Sequence, residues 1–382
     1  MSDGRSEPGG RSATASPARG GGEVPHLIAG EVPHLIDLLG ETPETLHALL
    51  ALEGATPREA RAIVAAVVGR GEADLMRAKG LRRTVREAVL ARAANAALRV
   101  VDRRESSDGF VKYLFELGDG VRVEGVRIPL PHSRPDAHVP PTKYTVCVSS
   151  QAGCSLRCAF CATGTMGLER NLTAGEIVAQ VLAIRSDSTL PVRGVVFMGM
   201  GEPLLNYDAV VRAAQVLSNP SGGRIDAKSI TISTAGVVPA IRRYTAEGHP
   251  YRLSVTLSAA SHDKRRALMP HEKAWPVDDL AAALRERAAV TGERQNVAWV
   301  ALGGVNCGAD DAAALGALLG DVPMRLDLVE MNGDTGGFRA PDGAELSAFR
   351  SYLAPLGIPV ARRYSGGKEE HAACGMLVGR AR

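Results

Sequence analysis

No stretch of the chain reaches the roughly eighteen consecutive apolar residues that a membrane-spanning helix requires, so nothing in it is expected to cross a bilayer. Cationic excess is slight as well. A net charge of +3 over 382 residues does not by itself announce a nucleic-acid partner, although a local basic patch stays compatible with it. Met1–Gly22 is rich in Gly, Ser, Arg and Pro and lacks the apolar core of a secretory leader, which makes the cytoplasm the expected location. Cysteine is scarce, with six residues, and in a cytosolic chain of this length that excludes a disulfide-stapled fold. What is there is ordinary for a globular protein: 45% hydrophobic and 23% charged residues, in a length that suits one large domain plus a smaller one.

Composition shifts divide the chain. Residues 1–22 read as a disordered tail, too polar to offset their ordering entropy. A short duplication follows, Glu23–Ile28 and Glu31–Ile36, with too few units for a solenoid. Residues 23–105 read as a small helical accessory domain, with apolar residues at three- and four-residue spacing in Pro43–Leu52, Pro57–Val68 and Arg83–Ala97. Residues 106–141 combine a β-hairpin, turning at Gly118-Asp119-Gly120, with a Pro-rich linker. From 142 to 382, seven strand candidates alternate with helical stretches: Tyr144–Ser149, Gly194–Met198, Ser229–Ser233, Arg252–Leu257, Asn296–Leu302, Arg325–Leu328 and Val360–Arg363. Such alternation implies an α/β fold, a parallel sheet with helices outside and the active site at the C-terminal strand ends.

Three of the six cysteines crowd into that region as Cys154-x3-Cys158-x2-Cys161, after the first of these strands. A loop can turn three thiolates toward one centre. Three ligands on a four-iron cluster leave one iron open to a substrate, as catalytic zinc keeps an open position. A closed zinc site normally takes four ligands in paired spacing, and the chain has no second Cys-x-x-Cys there. Buried, inert thiols are the remaining reading. The spacing, with Phe160 before the last cysteine, is similar to the signature of the radical S-adenosylmethionine (SAM) superfamily. Gly199-Met-Gly-Glu-Pro203, at the end of the next strand, resembles that superfamily's SAM-binding motif, although alone it would pass for an ordinary strand-to-helix turn. Ser233, one strand further on, is placed either to bond SAM or to cap a helix.

A closer resemblance covers about Ile36 to Leu377. The block Thr145-Val-Cys-Val-Ser-Ser-Gln-Ala-Gly-Cys-Ser-Leu-Arg-Cys-Ala-Phe-Cys-Ala-Thr-Gly164 resembles the RlmN/Cfr family of RNA adenine-carbon methyltransferases. So do Arg170–Val178, Gly199–Asn206, Ser233–Pro239 and the terminal Ala-Ala-Cys-Gly ending at Gly375. The resemblance implies a radical SAM partial (β/α)6-type barrel holding one [4Fe-4S] cluster on Cys154, Cys158 and Cys161. It implies SAM contacts at Gly201, Glu202, Ser233, Thr256, Leu257, Ser258 and Asn332. It also implies a reaction. One SAM methylates Cys374; a second, cleaved reductively, takes a hydrogen atom from that methyl group; the resulting carbon radical adds to carbon 2 or 8 of an adenine in ribosomal or transfer RNA. Glu124 accepts a proton, and Cys147 releases the product by forming a disulfide with Cys374. A monomer fed by a flavodoxin- or ferredoxin-type donor is expected, with Cys307 as inert packing.

Departures from the pattern cluster away from this core chemistry. The Ser-Leu-His strand end reads Thr256-Leu-Ser258, Pro-x-Asn reads Pro270-His-Glu272, Ile-Pro-x-Asn reads Val329-Glu-Met-Asn332, and the segment before the terminal cysteine reads Glu369-Glu-His371. After the hairpin, Leu130 stands where the family has an acid. Arg82, Arg83, Arg86 and Arg92 could meet RNA phosphates or form a solvated helix face. Two alternatives stand beside the leading one: a radical SAM methyltransferase acting on a small molecule or peptide, and a non-catalytic protein with a structural metal site.

Overall fold

Thr42 and Thr56 each precede a proline and stand three residues ahead of a side chain able to bond back. Each closes a capping box, opening α1 (Pro43–Leu49) and α2 (Pro57–Val64). α2 continues as a π-helical stretch over Ala65–Arg70 and stops at Gly71, whose φ of +71° lets the chain turn away. α3 (Arg83–Arg92) follows. A two-residue parallel pairing of β1 (Ile36–Asp37) with β2 (Ala93–Ala94) ties the ends of this segment together. The computed structural model describes residues 36–379 apart from 73, 74, 76, 77, 132–139 and 334. The Met1–Gly22 tail, and all of the duplication but Ile36, therefore lie outside the described residues.

Leu98–Glu105 differs from the sequence reading. It is strand β3 rather than the end of a helical segment, and it pairs antiparallel with β4 (Val111–Leu117). Its charges hide the strand period: Arg99, Asp102, Arg103, Arg104 and Glu105 suit a sheet edge, where they find partners such as Glu116 and Asp187. β4 pairs with β5 (Arg122–Leu130) across the predicted Gly118-Asp119-Gly120 turn.

β5 then pairs antiparallel with β6 (Lys143–Cys147), and the sheet becomes parallel from β6 onward. An excursion follows β6: β7 (Gln151–Cys154) and β8 (Gly167–Asn171) pair with each other apart from the main sheet, and α4 (Ala174–Ser186) leads back. The remaining units are β9 (Val192–Phe197), α5 (Tyr207–Ser218), β10 (Ile230–Thr234), α6 (Val238–Glu247), β11 (Arg252–Thr256), α7 (His262–Leu268), α8 (Val277–Thr291), β12 (Gln295–Ala301), α9 (Ala309–Leu319), β13 (Met324–Glu330), α10 (Gly343–Leu353) and β14 (Val360–Arg363). Spatial order is β14-β13-β12-β11-β10-β9-β6-β5-β4-β3. All seven parallel-strand candidates of the sequence are present, joined by six helical crossovers, in a large, mostly parallel α/β sheet. No helix among the described residues is long and apolar enough to cross a membrane.

Strand alternation decides which side chains face the helices. In β12, Gln295, Val297, Trp299 and Ala301 are buried, and Trp299 packs on Phe349 of α10. Asn296, Ala298 and Val300 stay half-buried on the opposite face. Register carries this parity across the sheet: Ala298 lies beside Thr256, Ser254 beside Ser233, Thr231 beside Val196, Val196 beside Cys147, and Cys147 beside Val126. Two residues before Val126, Glu124 points the same way. Hence Glu124, Cys147, Ser233 and Thr256 share the face that the helices leave free.

Candidate active site

Cys154 is the last residue of β7, and Cys158 and Cys161 follow in the loop that β7 and β8 clasp. The sequence reading placed all three in a loop. The small antiparallel clasp was not legible, because its strands are four and five residues long and lack apolar alternation. Burial comes first in raising the Cys154 thiol to about 12, with Glu202 and Cys161 adding to it. Cys158 is pushed well up by burial, then by Cys161 and Cys154. A cationic centre would let Cys154 and Cys158 become thiolates despite burial. Among the described residues no three His, Cys, Asp or Glu side chains converge on a point fit for a single metal ion. Three thiols on one short loop are the donor set that an iron–sulfur cluster would take, with Cys154, Cys158 and Cys161 as its ligands.

The Gly199–Glu202 loop lies across the connection from β6 to β7. Gly199 N–H donates to Val148 O at 3.0 Å, Met200 N–H to Ser149 Oγ at 2.9 Å, and Glu202 N–H to Gln151 Oε1 at 2.7 Å. Glycine is required there. A Cβ on Gly199 would lie 2.7 Å from the Val148 backbone, and one on Gly201, at φ +101°, would lie 2.6 Å from Gln151. The Glu202 carboxylate accepts from Leu204 N–H at 2.9 Å and Ala235 N–H at 2.8 Å, bridging two strand ends. Burial raises it to about 7 despite these bonds. Ser233 is half-buried at the end of β10. The turn amides of Gly236 and Val237 go to Thr234 Oγ instead, at 3.1 and 3.4 Å, so the capping alternative for Ser233 does not hold.

Thr256 is half-buried on the free face, whereas Leu257 and Ser258 are fully buried. Ser258 has φ +55°; its Oγ accepts from Val300 N–H at 3.2 Å, and its carbonyl takes Asn306 Nδ2–H at 2.8 Å. The hydroxyl that replaces histidine is therefore used inside the fold. Asn332 donates to Glu330 O at 3.0 Å and to Cys374 O at 3.3 Å, while its buried Oδ1 has no partner. A buried amide oxygen left open suits an N–H donor such as an adenine amine.

Cys374 sits in the irregular C-terminal segment, tied to the cluster loop by Ala162 N–H to Gly375 O at 2.8 Å and Thr163 Oγ to Leu377 O at 2.7 Å. Its side chain reaches solvent, yet surrounding protein raises its thiol, with the nearby Cys161 adding a small push. Cys147 is buried at the end of β6; burial and then the charge of Cys374 raise its thiol. Cys374 thus lies within electrostatic reach of both the cluster loop and Cys147. All six cysteines are free thiols here, so the Cys147–Cys374 disulfide is not formed. Cys307 packs half-buried at the core edge.

Glu124 is fully buried, its Oε1 3.2 Å from Lys112 Nζ and its Oε2 accepting from Val378 N–H at 2.6 Å and Gly379 N–H at 3.2 Å. Lys112 went unremarked in the sequence, although its alternation with Leu114 places it on the same face. The four arginines considered for RNA contact are mostly engaged. Arg82 binds Glu59 and Gly54 O, Arg86 binds Ala78 O, Arg92 pairs with Glu53, and the exposed Arg83 lies 3.8 Å from Glu87.

Comparison with known proteins gives the family. Residues 148–291 match the family model described as the Radical SAM superfamily. A probable RNA methyltransferase of Anaeromyxobacter sp. strain Fw109-5 is 55% identical over 349 residues, 91% of this chain and 100% of that protein. The dual-specificity RNA methyltransferase RlmN of Geobacter sulfurreducens is 38% identical over 352 residues, 90% of this chain and 92% of that one. The crystal structure of a radical SAM methyltransferase from Sphaerobacter thermophilus superposes with a TM-score of 0.80 at 35% identity, covering 90% of this chain and all of that one. A parallel sheet with a three-cysteine loop at its strand ends defines the class, a radical SAM enzyme. Within that class, the chain belongs to the family of RNA methyltransferases that includes RlmN.

Proposed function

We propose that the protein methylates carbon 2 or 8 of an adenine in ribosomal or transfer RNA, through a methyl group first carried on Cys374. The observation that supports this most directly is the position of Cys374, fastened to the cluster loop on one side and within electrostatic reach of Cys147 on the other. Cys154, Cys158 and Cys161 would hold the [4Fe-4S] cluster, and Glu202, Ser233, Thr256 and Asn332 would hold SAM. Together these groups supply the one-electron chemistry that removes a hydrogen atom from the methylated sulfur side chain.

The chain's own residues do the rest. Cys374, as thiolate, accepts the methyl group and presents it to the base. Glu124 takes the proton lost from the modified carbon as the adduct radical gives up one electron, which the cluster would accept. The Cys147 thiolate attacks the Cys374 sulfur; the sulfur–carbon bond breaks as the disulfide forms, and the released carbon takes a proton to become the methyl group of the freed base. A flavodoxin- or ferredoxin-class donor supplies the electron, and the enzyme acts as a cytoplasmic monomer. Mapping methylated adenines in RNA from a deletion strain tests the substrate. Loss of one methyl mark, restored by the wild-type gene and not by Cys374→Ala, is the expected result; an unchanged RNA profile would overturn the RNA assignment.

A further inference from the structure

Behind the cysteine loop lies a charge that the reaction just described does not use. Arg265 of α7 is completely buried, and its only charged partner among the described residues is Glu272, itself buried, with Arg265 Nε 3.2 Å from Glu272 Oε2. Arg265 Nη2 donates to Ala235 O at 2.7 Å, beside the amide that binds Glu202. Its Nη1 donates to Met269 Sδ at 3.5 Å. The helix also touches the cysteine loop, since Ala159 N–H donates to Leu268 O at 2.8 Å. Around this contact Phe160, Leu268, Met269 and Met331 form a separate apolar cluster against which Cys158 and Cys161 pack.

We propose that Arg265 is a positioning residue that sets the electrostatic potential of the cluster site, and that Glu272 controls how much of its charge the cluster feels. The physical grounds are burial and connection. A guanidinium in an apolar shell acts over a longer range than one in water, and this one is bonded to the strand end beside the cluster. Its field favours the more negative, reduced form of a bound cluster. Glu272, an acid where the related pattern has asparagine, is fixed by His262 Nδ1 at 2.7 Å and Val277 N–H at 2.9 Å, so it opposes Arg265 from a set place.

This inference rests on the reading of Cys154, Cys158 and Cys161 as cluster ligands, so iron content is measured on every sample. In an anaerobic dithionite titration of the reconstituted enzyme followed by electron paramagnetic resonance, Arg265→Met should shift the midpoint potential to more negative values. Glu272→Gln should shift it to more positive values, and Arg265→Lys should stay near wild type. Opposite signs separate a field effect from loosened packing, which would not depend on the sign of the charge removed. Shifts of the same sign in Arg265→Met and Glu272→Gln, or none at full iron loading, would overturn the proposal. A wild-type protein that takes up no iron would overturn the ligand reading beneath it. Should Arg265→Met fail to fold, the sign of the Glu272→Gln shift decides by itself.

Discussion

Glu202 gives the sharpest test of the SAM site, because its charge state is set by burial and not by a salt bridge. The free carboxylate sits at about 7, raised by burial against two backbone hydrogen bonds. An unfolded chain would release the same proton near 4.5. The folded state therefore holds the proton more tightly, and this group's contribution to stability is full below about pH 4.5 and is lost as pH rises to about 7. A ligand ammonium reverses the preference by stabilising the ionised form. If the amino group of SAM lands on Glu202, binding requires the carboxylate. Its ionised fraction falls about tenfold between about pH 8 and pH 6, so affinity should fall by the same factor, or about 1.4 kcal/mol. Anaerobic calorimetry of SAM binding to the reconstituted protein reads this directly. Glu202→Gln should bind more weakly at pH 8 and lose the slope. A wild-type affinity that is flat across this range, or a Gln variant with an unchanged slope, would refute the assignment.

Removing the partner of a buried carboxylate should be costly. Lys112→Met strands Glu124, and urea unfolding should show a loss of about 3–5 kcal/mol, much of it recovered in the Lys112→Met/Glu124→Gln double variant. Mass spectrometry of protein purified from an expressing strain should find one added methyl group on the peptide containing Cys374; an unmodified peptide after incubation with SAM would count against the thioether route. Substituting Ala for Cys154, Cys158 or Cys161 should abolish the iron content and brown colour of the reconstituted enzyme, and a variant that keeps its iron identifies a residue outside the ligand set. Gly201→Ala should destabilise by about 1–3 kcal/mol, because φ +101° and Gln151 leave no room for a Cβ, and a thermal midpoint within error of wild type would refute that reading.

The sheet was legible because its parallel strands carry buried apolar residues at two-residue spacing, such as Val195 and Phe197 or Leu253 and Val255, which stand out from the helical stretches between them. β3 was hidden by its charges, and the β7–β8 clasp by its shortness. Motifs located the cysteines and the glycine-rich turn, since spacing is a property of the chain. Partnership is not. Nothing in the order of residues shows that Lys112 faces Glu124, that Thr234 rather than Ser233 takes the turn amides, or that Ser258 bonds across to Val300. Those facts depend on register and crossover geometry, which bring together residues from strands far apart in sequence.

The C-terminal segment shows how fold and chemistry are joined. Asp108, in the β3–β4 turn, accepts from Gly367 N–H at 3.0 Å and Tyr364 Oη at 2.9 Å, and Ser365 Oγ accepts from Cys374 N–H at 2.9 Å. Beyond the cysteine the chain bonds the cluster loop, and then Glu124. Cys374 is thus held from three directions, two of them by parts of the site itself. Besides pairing with Lys112, the Glu124 carboxylate anchors Val378 and Gly379. The three antiparallel strands that extend the parallel sheet supply both Glu124 and the Asp108 turn. These strands thereby fasten the segment that carries Cys374 to the sheet that the parallel strands build.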